Sequence, residues 1–183
     1  VGYLASFYYF FAEGLVSGLQ PPVSYYLGAK QYKRITETVK LAFSVTVGSG
    51  IALVILFNIF PEIFISIFTT GNDALLEASK NGIRLHLMAL FLDGFLFMAS
   101  IYFVAVGKSG QAFFVSVGNM LVQFPFLFIL PKYLGIDGVW LAVPISNIVF
   151  ALIVLPMLLI NLKGLMKMHQ QQNNTDGGVV VCQ

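Results

Sequence analysis

Two acidic residues stand inside long apolar runs of this sequence, Glu13 within residues 1–28 and Asp93 within residues 83–106. A carboxylate is costly to place in lipid, so an ionisable residue in a membrane span is a functional candidate. Measured back from Gly28 and Gly107, both lie about 21–22 Å along a helix of 1.5 Å rise per residue. Two carboxylates at one depth could bind a proton or a monovalent cation. The alternative is that each only hydrogen-bonds a neighbouring helix.

A double proline follows Glu13 in the same run, as Gln20-Pro21-Pro22-Val23-Ser24. Two prolines remove two backbone donors and free carbonyl oxygens one turn earlier. Membrane helices tolerate this where protein or water satisfies the freed groups, and Gln20 and Ser24 are candidates for that task. The four polar and proline residues therefore predict a helix kink that lines a cavity. A fixed kink that only shapes the bundle is the alternative.

Other polar and small residues within the apolar runs predict helix contacts. Asn119 and Gln123 are four residues apart, on one face of a helix, and could line a cavity. Gly14 and Gly18 form a GxxxG pair, which allows close helix approach. Most remaining polar residues in the runs are expected to form hydrogen bonds between helices.

The composition places these residues in a membrane protein. The 183 residues are 58% hydrophobic and 10% charged, against roughly 45–50% and 25% in globular domains. A span needs about 20 apolar residues, and five runs supply them. We therefore predict an all-α membrane protein with residues 1–165 as a helical lobe and 166–183 as a disordered cytoplasmic tail. The predicted spans are residues 1–28, 41–60, 83–106, 112–130 and 139–162.

The basic residues predict the orientation, since Lys and Arg accumulate on the cytoplasmic side. If the loop after the first span is inside, seven basic residues lie inside and three outside. The inside set is Lys30, Lys33, Arg34, Lys40, Lys108, Lys163 and Lys167, and the outside set is Lys80, Arg84 and Lys132. This predicts a multi-pass plasma (inner) membrane protein with a cytoplasmic C-terminus.

Several function classes find no support. The segment Gly107-Lys108-Ser109 lacks the earlier glycine of a phosphate-binding loop, because position 102 is Tyr. No HExxH, GxSxG or clustered metal ligands are present. The net charge of +2 is too small to indicate nucleic acid as a partner. We expect no enzyme activity, no resident cofactor and no metal site.

The stretch Leu19-Gln20-Pro21-Pro22-Val23-Ser24-Tyr25-Tyr26-Leu27-Gly28-Ala29-Lys30 resembles a signature of MATE (multidrug and toxic compound extrusion) transporters. Residues 102–108 and 131–144 also resemble the C-terminal half of that family. The resemblance implies twelve helices in two lobes, of which this chain would be the eighth to twelfth. Its partners would then be the missing N-terminal lobe with the seventh helix, and the lipid bilayer. Asp93 matches the coupling acid of the family's tenth helix, and Glu13 falls in the eighth.

The resemblance implies a secondary antiporter that exports small organic cations, including drugs, in exchange for H⁺ or Na⁺. The cation-coupling residues would be Asp93 and Glu13. A lipid-linked saccharide flippase of the same superfamily is the second hypothesis, which predicts basic residues inside the cavity. The third is a non-transporting membrane scaffold, against which the intramembrane acids argue.

Overall fold

The computed structural model describes residues 2–66 and 81–179, and every regular element within them is an α-helix. This confirms the predicted all-α class. The helices are α1 Gly2–Gly28, α2 Tyr32–Ile59, α3 Pro61–Ser66, α4 Leu90–Ala105, α5 Ser109–Leu134 and α6 Ile136–Val179. Residues 81–87 are also helical and lead through a turn at Met88 and Ala89 into α4.

Within residues 2–66 and 81–179, four helices are long and apolar enough to cross a membrane. They are Tyr32–Ile59, Asn81–Ala105, Ser109–Leu134 and Ile136–Asn174, and each overlaps one of the predicted runs. Helix α1 is also long, with 27 residues, but Glu13, Gln20 and several Tyr make it less apolar. That residues 1–28 cross the membrane stays a prediction.

Helix α4 is the centre of the bundle, since it packs against α1, α2, α5 and α6. Of the most apolar part of its span, 56% is buried, compared with 6% for α5. A helix that is hydrophobic on all sides is expected where neighbours surround it. Two polar side chains of α4, Asp93 and Ser100, form hydrogen bonds with neighbouring helices.

Helix α1 buries one face only. Its buried side chains recur every three or four residues, as a helix face requires: Ala5, Tyr8, Ala12, Val16, Leu19 and Val23. The helix continues through Pro21 and Pro22. A Cβ added to Gly14 or Gly18 would meet nothing within 4 Å. The close packing predicted for this GxxxG pair is therefore not formed by the described residues.

The C-terminal segment differs from the prediction. We expect disorder from residue 166, but α6 continues to Val179. The segment begins next to Leu165, which is 7% exposed, and continues with Met and Gln residues, which favour helix. These residues outweigh the polar composition on which the prediction rested. Residues 180–183 lie outside the described part, and the cytoplasmic location of this segment stays a prediction.

Candidate functional site

A cavity of about 470 Å³ lies between α1, α4 and α5. It contains both acidic residues singled out from the sequence, as well as Asn119 and Gln123. Its described lining residues are Tyr9, Ala12, Glu13, Asp93, Gly94, Leu96, Phe97, Ser100, Val115, Ser116, Asn119 and Gln123. The fold thus brings together two carboxylates and two amides from three helices. We call it the carboxylate cavity.

Asp93 is fixed by hydrogen bonds from two different helices. Tyr9 on α1 donates from Oη to Asp93 Oδ2 over 3.1 Å, and Asn147 on α6 donates from Nδ2 to Asp93 Oδ1. Asn147 is fully buried. Because α4 is central, one carboxylate on it can connect α1, α4 and α6. A change in the charge of Asp93 would therefore alter both of these contacts.

Glu13 lies one turn after Tyr9 on α1, at the same cavity, and is exposed. The two carboxylates differ in their surroundings, because Asp93 is half-buried and hydrogen-bonded whereas Glu13 is open to the cavity side. An exposed carboxylate is better placed to meet an incoming ligand first. Asp93 is better placed to transmit binding to the helices.

The α5 wall supplies polar groups that accept hydrogen bonds. Asn119 Oδ1 is buried and has no hydrogen-bond partner within the described residues. Ser100 on α4 and Ser116 on α5 are joined by an Oγ–Oγ hydrogen bond of 2.6 Å, which holds these helices together beside the cavity. A ligand that donates hydrogen bonds or carries positive charge would satisfy the Asn119 oxygen.

The four residues of the predicted kink lie away from this cavity. Gln20, Pro21, Pro22 and Ser24 are not among its lining residues, because they follow Glu13 by about two to three turns of α1. The Ser24 hydroxyl donates to the carbonyl oxygen of Ala105 over 3.2 Å, rather than to a carbonyl freed by the prolines. Its contact thus joins α1 to the end of α4. The four residues do not line the carboxylate cavity, and a role for them in a kink or at another cavity stays a prediction.

Two residues of the site escaped the sequence analysis as partners of Asp93. Tyr9 stands four residues before Glu13, so helical spacing puts both on one face, a signal that could have identified it. Asn147 lies 54 residues from Asp93. Nothing in the sequence pairs these two residues, since only the packing of α6 against α4 does.

The cavity's chemistry favours a monovalent or organic cation. Its charged groups are two carboxylates, and its described lining includes no Lys or Arg. Tyr9 and Phe97 add aromatic surface, which attracts cations through the ring face. Among residues 2–66 and 81–179, no three His, Cys, Asp or Glu side chains group together to hold a metal ion.

Comparisons with known proteins identify the family and the fold of the chain. The profile of the MatE family matches residues 2–129. The solved structure of the MATE multidrug transporter DinF-BH, in complex with a ligand, superposes with a TM-score of 0.76 at 30% sequence identity. The match covers 85% of this chain and 35% of that transporter, so the chain spans about a third of its length. No curated protein sequence matches the chain.

Proposed function

Because this chain belongs to the MatE family of membrane transporters, we propose that it acts in a secondary antiporter that exports organic cations in exchange for H⁺ or Na⁺. The observation that carries the proposal is the placement of Asp93. Its carboxylate lines the cavity while Tyr9 of α1 and Asn147 of α6 donate to its two oxygens. The similar solved structure is described as a multidrug transporter in complex with a ligand, which supports a small-molecule substrate here.

The proposed mechanism uses competition for negative charge. An organic cation in the cavity would be attracted by Asp93 and Glu13, and by the aromatic rings of Tyr9 and Phe97. When H⁺ or Na⁺ binds Asp93, the charge that holds the organic cation is neutralised. The substrate is then released. Binding of the coupling ion at Asp93 therefore lowers the affinity of the cavity for the organic cation, and the reverse also holds.

The same event would bias the conformation of the bundle. Hydrogen bonds to an ionised carboxylate are stronger than those to a neutral acid. Neutralising Asp93 therefore weakens the contacts of α4 with Tyr9 and Asn147. A ligand shifts a conformational equilibrium only through such a difference in interaction. Alternating access in transporters needs this shift between two states around a central site.

The cavity lining bears on the flippase hypothesis. A lipid-linked saccharide carries a pyrophosphate, which requires basic residues in the cavity, whereas this cavity presents two carboxylates and, in its described lining, no Lys or Arg. The observation favours a cationic substrate. The scaffold hypothesis predicts that substitutions which remove the charge of Glu13 and of Asp93 have no effect on function.

The first test is efflux of a fluorescent organic cation from energised cells that produce the protein from its full reading frame. We expect Asp93→Asn to reduce efflux to background at equal membrane expression, because the coupling charge is lost. Glu13→Gln is expected to reduce efflux in part. Glu37→Gln is the matched control, since Glu37 is an exposed carboxylate paired with Lys33 at 3.9 Å outside the cavity.

Two results would contradict the proposal. Intact protein that moves no organic cation would exclude cation export and favour the flippase or scaffold hypothesis. Normal efflux by the Asp93→Asn variant would leave transport standing but remove Asp93 as the coupling residue.

A further inference from the structure

A second cavity, of about 520 Å³, lies between the C-terminal ends of α1 and α4, the start of α5 and the later part of α6. It shares no lining residue with the carboxylate cavity. Its described lining residues are Leu27, Tyr102, Val106, Lys108, Gln111, Ile160, Asn161, Gly164, Leu165 and Met168. We call it the Lys108 cavity. The transport mechanism above does not use it.

Asn161 organises the polar end of the Lys108 cavity. Lys108 Nζ donates to Asn161 Oδ1. Asn161 Nδ2 donates to Gln111 Oε1 over 3.2 Å and to the Met157 carbonyl oxygen over 2.9 Å. Asn161 is 8% exposed, and its oxygen and both of its N–H groups are used within the protein. It therefore fixes Lys108 and Gln111 and has no N–H left for a ligand.

Hydrogen-bond donors around Asn161 remain available for a ligand. The ammonium group of Lys108 has three N–H donors, of which Asn161 takes one. Gln111 accepts through Oε1, which leaves its NH₂ group as a donor. Tyr102 is fully buried, lines the cavity, and its hydroxyl has no hydrogen-bond partner among the described residues. A buried hydroxyl without a hydrogen-bond partner is costly, so binding of a ligand that accepts a hydrogen bond from it would be favoured.

Charge and position identify the kind of ligand. Lys108 forms no ion pair with a carboxylate in the described part of the chain. One free positive charge with several donors suits an acceptor-only anion such as phosphate. The rest of the lining is apolar, and Ile160 and Met168 are 70% and 42% exposed. A ligand that matches both parts of this lining is amphiphilic, with an anionic group and an apolar part.

The cavity also lies at the end of the bundle that carries most of the basic residues. Lys30, Lys33 and Arg34 follow the C-terminal end of α1, which contributes Leu27 to the cavity. Basic pockets between membrane helices at the cytoplasmic side can receive anionic lipid head groups. We propose that the Lys108 cavity binds an anionic phospholipid, with its phosphate between Lys108, Gln111 and Tyr102 and its acyl chain along Ile160 and Met168.

The test is binding of phosphatidylglycerol to the whole chain purified in nonionic detergent, measured by native mass spectrometry against phosphatidylcholine with the same acyl chains. We expect phosphatidylglycerol to bind about tenfold more tightly, because its net negative charge is attracted by Lys108 whereas phosphatidylcholine has no net charge; tenfold corresponds to about 1.4 kcal/mol. Lys108→Gln should abolish this preference, whereas Tyr102→Phe, which removes a donor to the phosphate that both lipids carry, should weaken the binding of both lipids. A ratio of two lipids measured on one variant is insensitive to a uniform loss of folded protein.

Two control variants change residues outside the lining of the Lys108 cavity. Lys163→Gln removes an exposed lysine outside the cavity lining, and Tyr133→Phe removes a hydroxyl from a side chain that is 79% exposed. Both variants should keep the full lipid preference. Loss of the preference in Lys163→Gln to the same extent as in Lys108→Gln would overturn the proposal, as would equal binding of the two lipids by the unaltered chain.

Inorganic phosphate distinguishes the two sources of a phosphate group. For a lipid site, millimolar phosphate should not displace phosphatidylglycerol, because the apolar contacts are absent from the free ion. Displacement at concentrations equal to those of the lipid would overturn the lipid assignment in favour of a phosphate site. Cation efflux measured on Lys108→Gln is separate from this binding, so failure here does not affect the antiport proposal.

Discussion

At the scale of single residues, Gly50 sets how closely α2 approaches α4. A Cβ at this position would lie 2.7 Å from Phe91 Cα and 3.0 Å from Tyr8 Oη. The nearest atom belongs to backbone, which cannot rotate away as a side chain can. Small residues allow such approach between membrane helices. Tyr8 uses the space, since its hydroxyl donates to the Thr46 carbonyl oxygen over 3.2 Å.

We therefore expect Gly50→Ala to lower the free energy of unfolding by about 1–3 kcal/mol, the usual cost of overpacking. Gly48→Ala is the control in the same helix, because a Cβ there meets nothing within 4 Å. It should be neutral or stabilising by up to about 1 kcal/mol through helix propensity. Unfolding in mixed micelles titrated with SDS measures both, and equal stabilities would show that α2 and α4 are not in this contact.

At the scale of elements, the turn between α4 and α5 places Lys108 in its cavity. The Lys108 N–H donates to the Phe103 carbonyl oxygen over 2.8 Å and the Gly107 N–H to that of Val104 over 3.0 Å. These two hydrogen bonds form the Schellman motif, in which the residue directly after the C-cap of the helix adopts the left-handed conformation. Gly107 has φ of +74°, as the motif demands.

The motif predicts opposite effects at two neighbouring glycines. Gly107→Ala should destabilise the chain by about 1–2 kcal/mol, since a Cβ is disfavoured in the left-handed region. Gly110 lies in the first turn of α5 with open space around it, so Gly110→Ala should be neutral or slightly stabilising. Thermal unfolding followed by circular dichroism compares them. A Gly107→Ala variant as stable as Gly110→Ala would contradict the turn geometry.

At the scale of the whole molecule, the loops predict the orientation in the membrane. The basic segment after α1 and the turn at Lys108 lie at one end of the bundle, and the turn at Gly135 between α5 and α6 lies at the other. Gly135 has φ of +60° and its N–H donates to the Pro131 carbonyl oxygen over 2.9 Å. This reverses the chain between two long apolar helices.

Cysteine labelling in intact cells tests the orientation. Cys182 is the only cysteine, so Cys182→Ser provides a background for single replacements. With Tyr133→Cys, which is at an exposed position, an impermeant maleimide should react from outside. With Lys30→Cys or Lys167→Cys it should react only after permeabilisation, because basic loops stay in the cytoplasm. The reverse pattern would contradict both the predicted orientation and the cytoplasmic placement of the Lys108 cavity.

The sequence alone was enough to determine the class of molecule and its apolar helices. Hydrophobic runs of span length between short turns leave few other folds, and each of the four apolar helices found in the described residues overlaps a predicted run. Asp93, Glu13, Asn119 and Gln123 also stood out by type, because polar groups in such runs are rare. By contrast, composition failed for residues 166–179, where helix propensity and the burial of Leu165 decide the structure.

Only the tertiary structure decided which of these residues meet. The hydrogen bond from Asn147 to Asp93 joins residues 54 apart, and the one between Lys108 and Asn161 joins residues 53 apart. Helical periodicity relates neighbours three or four residues apart, so it cannot register α6 against α4 or α5. Gln20 and Ser24 share a helix with Glu13, but they lie two to three turns further along it and do not line the same cavity. Side-chain packing between helices fixes that register, and with it both cavities.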